Sequence, residues 1–304
     1  MSILSKVRAF VSDPPPDFVF EVSAAGIAWT RPAQQTTIEW TPLAPGALVV
    51  SPLENNVREP GIYSAAVRTL VSDPSGKSKQ RRAALILPDY CARVAVVDFD
   101  TFPSDPQEQL QLARFRVKRV VPFDIESAIV VCHPQPRPGA AKKIDVVVAV
   151  INMEVASHLE APFRAAGFQC GFVTLSALSA LALPGDDGDE HASPVVVAKL
   201  CGDVLALSLL EGRTLRMFRC VQLHGGSEQE ATDVLATTFA YSEDELGARP
   251  KVLRQCGVAR ENGELLHRWS EEFGLPVSSL SSRFGAPGAN NAGLHGYLET
   301  MEAL

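Results

Sequence analysis

Residues 144–151 read Ile-Asp-Val-Val-Val-Ala-Val-Ile, a nearly continuous β-branched run. A strand of this composition is apolar on both faces, so something must cover it on both sides. The segments after it alternate in period. Met153–Ala166 carries a helical pattern closed by Gly167 at the C-cap position, Phe172–Leu175 reads as a strand, and Ser176–Leu183 as a helix. A β-α-β-α order of this kind predicts a parallel sheet covered by helices. With 304 residues and 46% hydrophobic content, the chain can bury a large core and divide into two domains.

The rest of the chain extends this α/β pattern. Phe18–Trp29 alternates and turns near Ala24-Ala25-Gly26, which predicts a hairpin; Thr37–Trp40, Ala47–Val50, Ala83–Leu87, Val94–Val97 and Ile129–Cys132 are further strand-length runs. Gly61–Val71 has helical spacing. Asp105–Val120 reads as a strong amphipathic helix, with Asp105 as N-cap and Pro106 at the first helical position. The acidic, Gly-rich segment Pro184–Ser193 marks a boundary between two lobes. Beyond it Val195–Leu200, Val204–Leu210 and Leu215–Leu223 are three successive strands, followed by a helix over Gln229–Tyr241, a short strand at Val252–Leu253, a helix over Gly263–Phe273 closed by Gly274, a strand over Pro276–Leu280 and a helix over Ala292–Leu304. At the start, Ile3, Leu4, Val7, Phe10 and Val11 recur at helical spacing, as a helix packed on the body or as an interfacial membrane contact.

Several kinds of chemistry are excluded. The net charge of −7, with no basic block, argues against general nucleic-acid binding. There is no apolar run of transmembrane length, and Met1–Asp13 has no signal-peptide pattern, which sets the expectation of a cytoplasmic protein. The six cysteines are isolated and mostly lie in apolar runs, as reduced core residues do. The histidines are scattered without metal-ligand spacing, and no metal site is expected. Gly76-Lys77-Ser78 resembles the end of a phosphate-binding loop, but Val71 stands where that loop needs its first glycine. No nucleophile, base and orienting group come together, so no catalytic residue is assigned.

Residues 15–304 resemble, in order, the PilM-type proteins of type IV pilus assembly, relatives of the cell-division actin FtsA. Val19-Phe20-Glu21-Val22-Ser23-Ala24-Ala25-Gly26-Ile27 stands where that family has its first phosphate hairpin, Asp-Ile-Gly-Ser-Ser. Asp105–Phe123, running into Val121-Pro122-Phe123-Asp124-Ile125, is similar to the family's helix ending in Ile-Pro-Phe. Asp145–Val150, Ala165-Ala166-Gly167-Phe168 and Leu175–Leu183 follow the family's progression. Val195–Leu210 with Gly212-Arg213 falls at the second phosphate hairpin, and Arg219–Gly226 resembles its Arg-(apolar)-Gly-Gly phrase.

The resemblance implies an actin-like ATPase (ribonuclease H-like) fold in two lobes, residues 1–184 and 193–304. The first would carry a small FtsA-type inserted subdomain at about 83–140, protruding from it. The second would be reduced, since residues 227–251 hold one helix and a loop where relatives place a further subdomain. The nucleotide loops depart from the family. Glu21 replaces Asp and Ser23 replaces Gly in the first hairpin; Gly26 is kept. In the second, Lys199-Leu200-Cys201 replaces Asp-Ile-Gly ahead of Gly202, and Ala206 replaces a later Asp. On the adenine side Gly257-Val258 replaces Gly-Gly. Lys199 could contact a phosphate, but such a residue more often replaces a metal-site charge or points to solvent. These losses remove the carboxylates that hold Mg²⁺ or its waters, so neither ATPase activity nor an ATP/Mg cofactor is expected.

The function implied is a non-catalytic scaffold of type IV pilus assembly, associated with the inner membrane through a partner. It would capture the cytoplasmic tail of a PilN-like protein and has room for self-association. The alternatives are an actin-like ATP-binding protein with atypical loops, or the cytoplasmic part of a type II secretion-like assembly. The expected partner site is a groove between the first lobe and the insertion, formed by Phe115, Arg116, Lys118, Val120, Pro122 and Phe123. These residues combine apolar side chains with a basic flank suited to an acidic stretch. Phe115, Val120 and Phe123 could equally form the subdomain's own core.

Overall fold

The computed structural model describes residues 15–33, 37–70, 81–138, 143–185, 194–258 and 263–302. The helical spacing at residues 3–11, the triplet at 76–78 and most of the 184–193 segment lie outside the described residues.

Two five-stranded sheets share one topology. In the first, β1 (Phe18–Ser23), β2 (Gly26–Thr30) and β3 (Glu39–Pro42) form an antiparallel meander, and β4 (Arg81–Leu87) and β8 (Phe168–Leu175) extend it in parallel, in the order β3-β2-β1-β4-β8. In the second, β9 (Val195–Cys201), β10 (Val204–Glu211) and β11 (Thr214–Gln222) form the meander, and β12 (Val252–Cys256) and β13 (Val277–Ser279) extend it, in the order β11-β10-β9-β12-β13. Helices α1 (Pro60–Thr69) and α5 (Glu228–Leu246) occupy equivalent places, as do α3 (Met153–Ala165) and α6 (Gly263–Phe273), and α4 (Ser176–Ala180) and α7 (Ala292–Glu302). Residues 47–50, expected as a strand, contribute only a bridge from Leu48 to Val57.

Each lobe packs apolar side chains on both sheet faces. On one face of the first sheet, Phe20 meets Phe163 of α3 and Phe168 of β8 with ring centroids 4.9 and 4.8 Å apart, and the Tyr63 hydroxyl of α1 donates to the Leu159 carbonyl at 3.1 Å. On the second sheet, Trp269 of α6 is buried beside Leu205 and Leu207, and its indole N–H donates to Thr232 Oγ1 at 2.9 Å. The lobes exchange their last helices. Leu294 and Leu298 of α7 pack on Val19, Ala84 and Ile86 of the first sheet, while Ala180 and Leu183 pack on Val195, Val197 and Val252 of the second. The division at 184/193 therefore does not separate the packing: the C-terminal helix covers the first lobe.

The run at 144–151 has a different setting from the one its composition predicts. β5 (Ala92–Phe99), β6 (Ala128–Pro136) and β7 (Ile144–Asn152) form a separate three-stranded antiparallel sheet in the order β5-β7-β6, with α2 (Pro106–Val117) on one face. Val146, Val148 and Val150 pack with Ala113 and Val117 of α2. On the opposite face Val94, Val96 and Val147 meet Leu215 and Phe218 of β11. Both faces are covered, but by a helix and by the second lobe. This insertion runs from Ala92 to Asn152, later than the expected 83–140, because β4 belongs to the first five-stranded sheet.

The insertion does not simply protrude from the first lobe; it is docked on the second. Arg216 Nε lies 3.3 Å from Asp145 Oδ2, and both side chains are buried. Gln135 donates through Nε2 to the Leu215 carbonyl and accepts from the Leu215 N–H at 3.2 Å, completing a strand-like pairing on β11. α2 itself is less amphipathic than expected. Asp105 Oδ1 caps it, accepting from Gln107 N and Glu108 N at 2.9 Å each, but only Ala113 and Val117 are buried.

His295 in α7 is buried, its Nδ1 has no hydrogen-bond partner, and burial holds its pKa down at about 4 against a weaker opposing pull from Glu299. In the unfolded chain the imidazole takes its proton near pH 6.5. Between those values the unfolded state binds more protons, so the stability this group contributes is complete above pH 6.5 and is lost as pH falls towards 4. Thermal melts of wild type and His295→Leu at pH 7 and pH 5 check this. The melting temperature of the wild type should fall more than that of the variant, and parallel falls would contradict the assignment.

Candidate functional site

A cavity of about 390 Å³ opens between the lobes at the ends of two hairpins. The β1–β2 turn, Ser23 to Gly26, forms one lip, and the β9–β10 turn, Cys201 to Val204, the other. The Ser23 hydroxyl donates to the Gly26 carbonyl at 3.1 Å, so its side chain closes its own turn. Gly202 has φ +60°, the left-handed conformation a two-residue hairpin turn needs.

The floor is charged and buried. Glu21 on β1, Asp89 just beyond β4 and Lys199 on β9 are 1%, 4% and 3% exposed. Lys199 Nζ donates to Asp89 Oδ2 at 2.8 Å. The other Asp89 oxygen accepts from Ala177 N of α4 at 2.6 Å. One Glu21 oxygen accepts from the Ser176 hydroxyl, the other from Leu294 N of α7 at 2.6 Å. Burial raises the Glu21 carboxyl above its usual range, opposed by Lys199, Ser176 and the Leu294 N–H. Burial alone would lower the Lys199 ammonium, but Asp89, with smaller help from Cys201 and Glu21, holds it above the ordinary lysine value. Asp89 therefore favours the charged form of Lys199 at the cleft floor.

Of the nucleotide-loop positions singled out in the sequence, Glu21, Ser23, Lys199, Cys201 and Gly202 line this cavity; Gly26, Ala206 and Gly257 do not. A Cβ on Gly26 would lie 2.6 Å from the Trp40 ring and 2.5 Å from the Thr41 carbonyl, so this glycine serves the packing of β3. Gly257, at φ +86°, has its Cα against the Leu200 carbonyl, 1.8 Å from where a Cβ would stand. Ala206 pairs directly across from Lys199. Lys199 does not point to solvent, because Asp89 holds it. Asp89 and Ser176 were not picked out from the sequence. The available signal was an acid directly past the carboxyl end of an apolar strand, where α/β sheets collect functional groups. The six cysteines are free; burial raises the Cys201 thiol and pushes Cys256 up to about 12, which keeps both protonated.

The expected partner residues come together on the insertion. Phe115 is 76% and Val120 61% exposed; Arg116, Lys118 and Pro122 are exposed, and Phe123 is half-buried in the core beneath α2. That core is made of insertion residues alone, so these side chains form a surface patch on α2 and the turn after it. They do not form the wall of a groove against the first lobe. Arg116 lies over the Phe99 ring at 5.2 Å and 3.7 Å from Asp98.

No protein-family model and no curated protein matches this sequence. Solved structures do match. The PilM-PilN type IV pilus biogenesis complex superposes with a TM-score of 0.69 at 16% identity, over 88% of this chain and 89% of that one. A Bacteroides thetaiotaomicron protein with an actin-like ATPase fold gives 0.55 at 11% identity, over 92% and 94%. The cytoplasmic domain of EpsL, an inner-membrane component of the type II secretion system of Vibrio cholerae, gives 0.50 at 14% identity, over 94% and 93%. The fold is thus the actin-like one in two lobes, and among the described residues no helix is long and apolar enough to cross a membrane.

Proposed function

We propose that this actin-like chain is a non-catalytic adaptor in a pilus- or secretion-type assembly. It binds the cytoplasmic tail of an inner-membrane protein and does not hydrolyse a nucleotide. The observation that carries the non-catalytic part is the cleft floor. Mg-ATP chemistry in this fold requires carboxylate oxygens free to hold the metal or its waters. Here both Glu21 oxygens and both Asp89 oxygens are engaged by Ser176, Leu294 N, Lys199 and Ala177 N. The residues present do not fit a magnesium nucleotide, and no step is routed through one.

The adaptor part is supported by the family resemblance and by the likeness to the pilus and secretion structures. It is also supported by the α2 patch, in which Phe115, Val120 and Pro122 expose apolar surface in an otherwise acidic chain. Arg116 and Lys118 flank the patch, which fits a tail that is apolar with acidic positions. The test is a pull-down against the cytoplasmic tails of PilN-like single-span membrane proteins. Phe115→Ser and Lys118→Glu should each weaken binding by about ten-fold while leaving the melting temperature unchanged. Equal binding by folded variants would remove the patch. Failure of the wild type to bind any such tail would remove the adaptor role.

A further inference from the structure

We infer that the Lys199 ammonium is the cleft's resident cation. It is a tethered substitute for a bound metal, and it holds the two lobes together with no ligand present. Glu21 and Asp89 come from the first lobe and Lys199 from the second, and all three side chains converge on the floor of one cavity. The Asp89–Lys199 contact of 2.8 Å crosses directly from lobe to lobe. The remaining carboxylate oxygens are tied to the first turns of α4 and α7, the two helices that pass between the lobes. This floor therefore links β1, β4, β9, α4 and α7 through one charged cluster.

Two further observations fit a fixed cation. Ala206 stands directly opposite Lys199 on β10. An acid there would be about 5 Å away and would compete with Asp89 for the ammonium. A magnesium ion would also have to displace the Lys199 ammonium to reach Asp89, whose Oδ2 the ammonium holds at 2.8 Å. The positive charge between the lobes is supplied by the chain itself. Closure is constitutive, and it holds whether or not a membrane-protein tail is bound elsewhere.

The test is cation rescue. Lys199→Ala leaves two buried carboxylates around a vacated position, which then suits a small hard cation. Melting temperatures of wild type and Lys199→Ala are measured in sodium chloride and in magnesium chloride or methylammonium chloride of matched ionic strength. Lys199→Ala should melt well below the wild type, and magnesium or methylammonium should raise it by about 5 °C while leaving the wild type within a degree. If Lys199→Ala does not fold, Lys199→Ser, which also removes the charge and leaves room for a cation, replaces it with the same expectation. A variant as stable as the wild type, or a wild type that gains as much from magnesium as the variant does, overturns the inference. So does a destabilised variant that neither cation raises.

Discussion

Asp89→Asn is expected to destabilise the protein by about 3–5 kcal/mol, lowering the melting temperature by about 10 °C, because it leaves a buried ammonium facing a neutral amide. A surface ion pair would contribute less than about 1 kcal/mol. Here both members are buried, and Asp89 also accepts the Ala177 N–H. The magnitude reflects the charge left behind and does not measure the net worth of the pair. Lys199→Met alone should cost a similar amount for the same reason. The double variant Asp89→Asn/Lys199→Met, with no uncompensated member of the pair, should recover at least half of the summed loss. Denaturant melts of the four proteins give the coupling directly. A double variant whose loss is the sum of the two singles would mean that the side chains stabilise the fold independently.

Gly296→Ala is expected to cost about 3 kcal/mol, although alanine is by itself the better helix former by about 1 kcal/mol. The sign is decided at the crossing of α4 and α7. A Cβ at Gly296 would stand 2.0 Å from the Ser179 carbonyl oxygen and 3.0 Å from the Ala180 Cα. At Gly293 it would stand 2.7 Å from the Ser176 Cα. These neighbours are backbone and cannot swing aside, so the helices must separate. The Ser179 hydroxyl, which donates to the Gly293 carbonyl at 2.7 Å, loses its partner as they do. The same separation moves Ser176 and Leu294 away from Glu21, so the change reaches the cleft floor. Gly61→Ala in α1 is the control: nothing lies within 4 Å of the new Cβ, and the variant should be neutral or slightly more stable. Equal melting temperatures for Gly296→Ala and Gly61→Ala would contradict the close crossing.

Local chemistry in the sequence located most of the elements. Asp105-Pro106 does open α2, and Gly167 and Gly274 adopt the positive φ of a helix C-terminus at 86° and 64°. The alternation at Phe18–Trp29 gives the β1–β2 hairpin. The Val-rich run at 144–151 showed that both faces of a strand are covered, but not by what. Its partners are a helix about thirty residues earlier and a strand seventy residues later, and no local period encodes them. The same limit hid Asp89. Lys199 stood out because the family resemblance sets it where the second hairpin has Asp, yet the acid that holds it is 110 positions away. Gly293 and Gly296 passed as ordinary helix residues, since the crossing they permit is a property of α4. Phe115 shows the opposite case: the sequence left it open between a partner surface and the subdomain's own core, and the short contact of α2 with the small sheet leaves it outside.

On the reading proposed above, the chain's own charges, and no nucleotide, close this actin-like cleft. The direct measurement is thermal unfolding of the wild-type protein with and without millimolar Mg-ATP, beside Gly202→Val as a variant of the second hairpin turn. The melting temperature should stay unchanged to within about a degree in both proteins, since a ligand stabilises only in proportion to its binding to the folded state. A rise of several degrees in the wild type, abolished by Gly202→Val, would show that the cleft still takes a nucleotide and that its own charges are not what closes it.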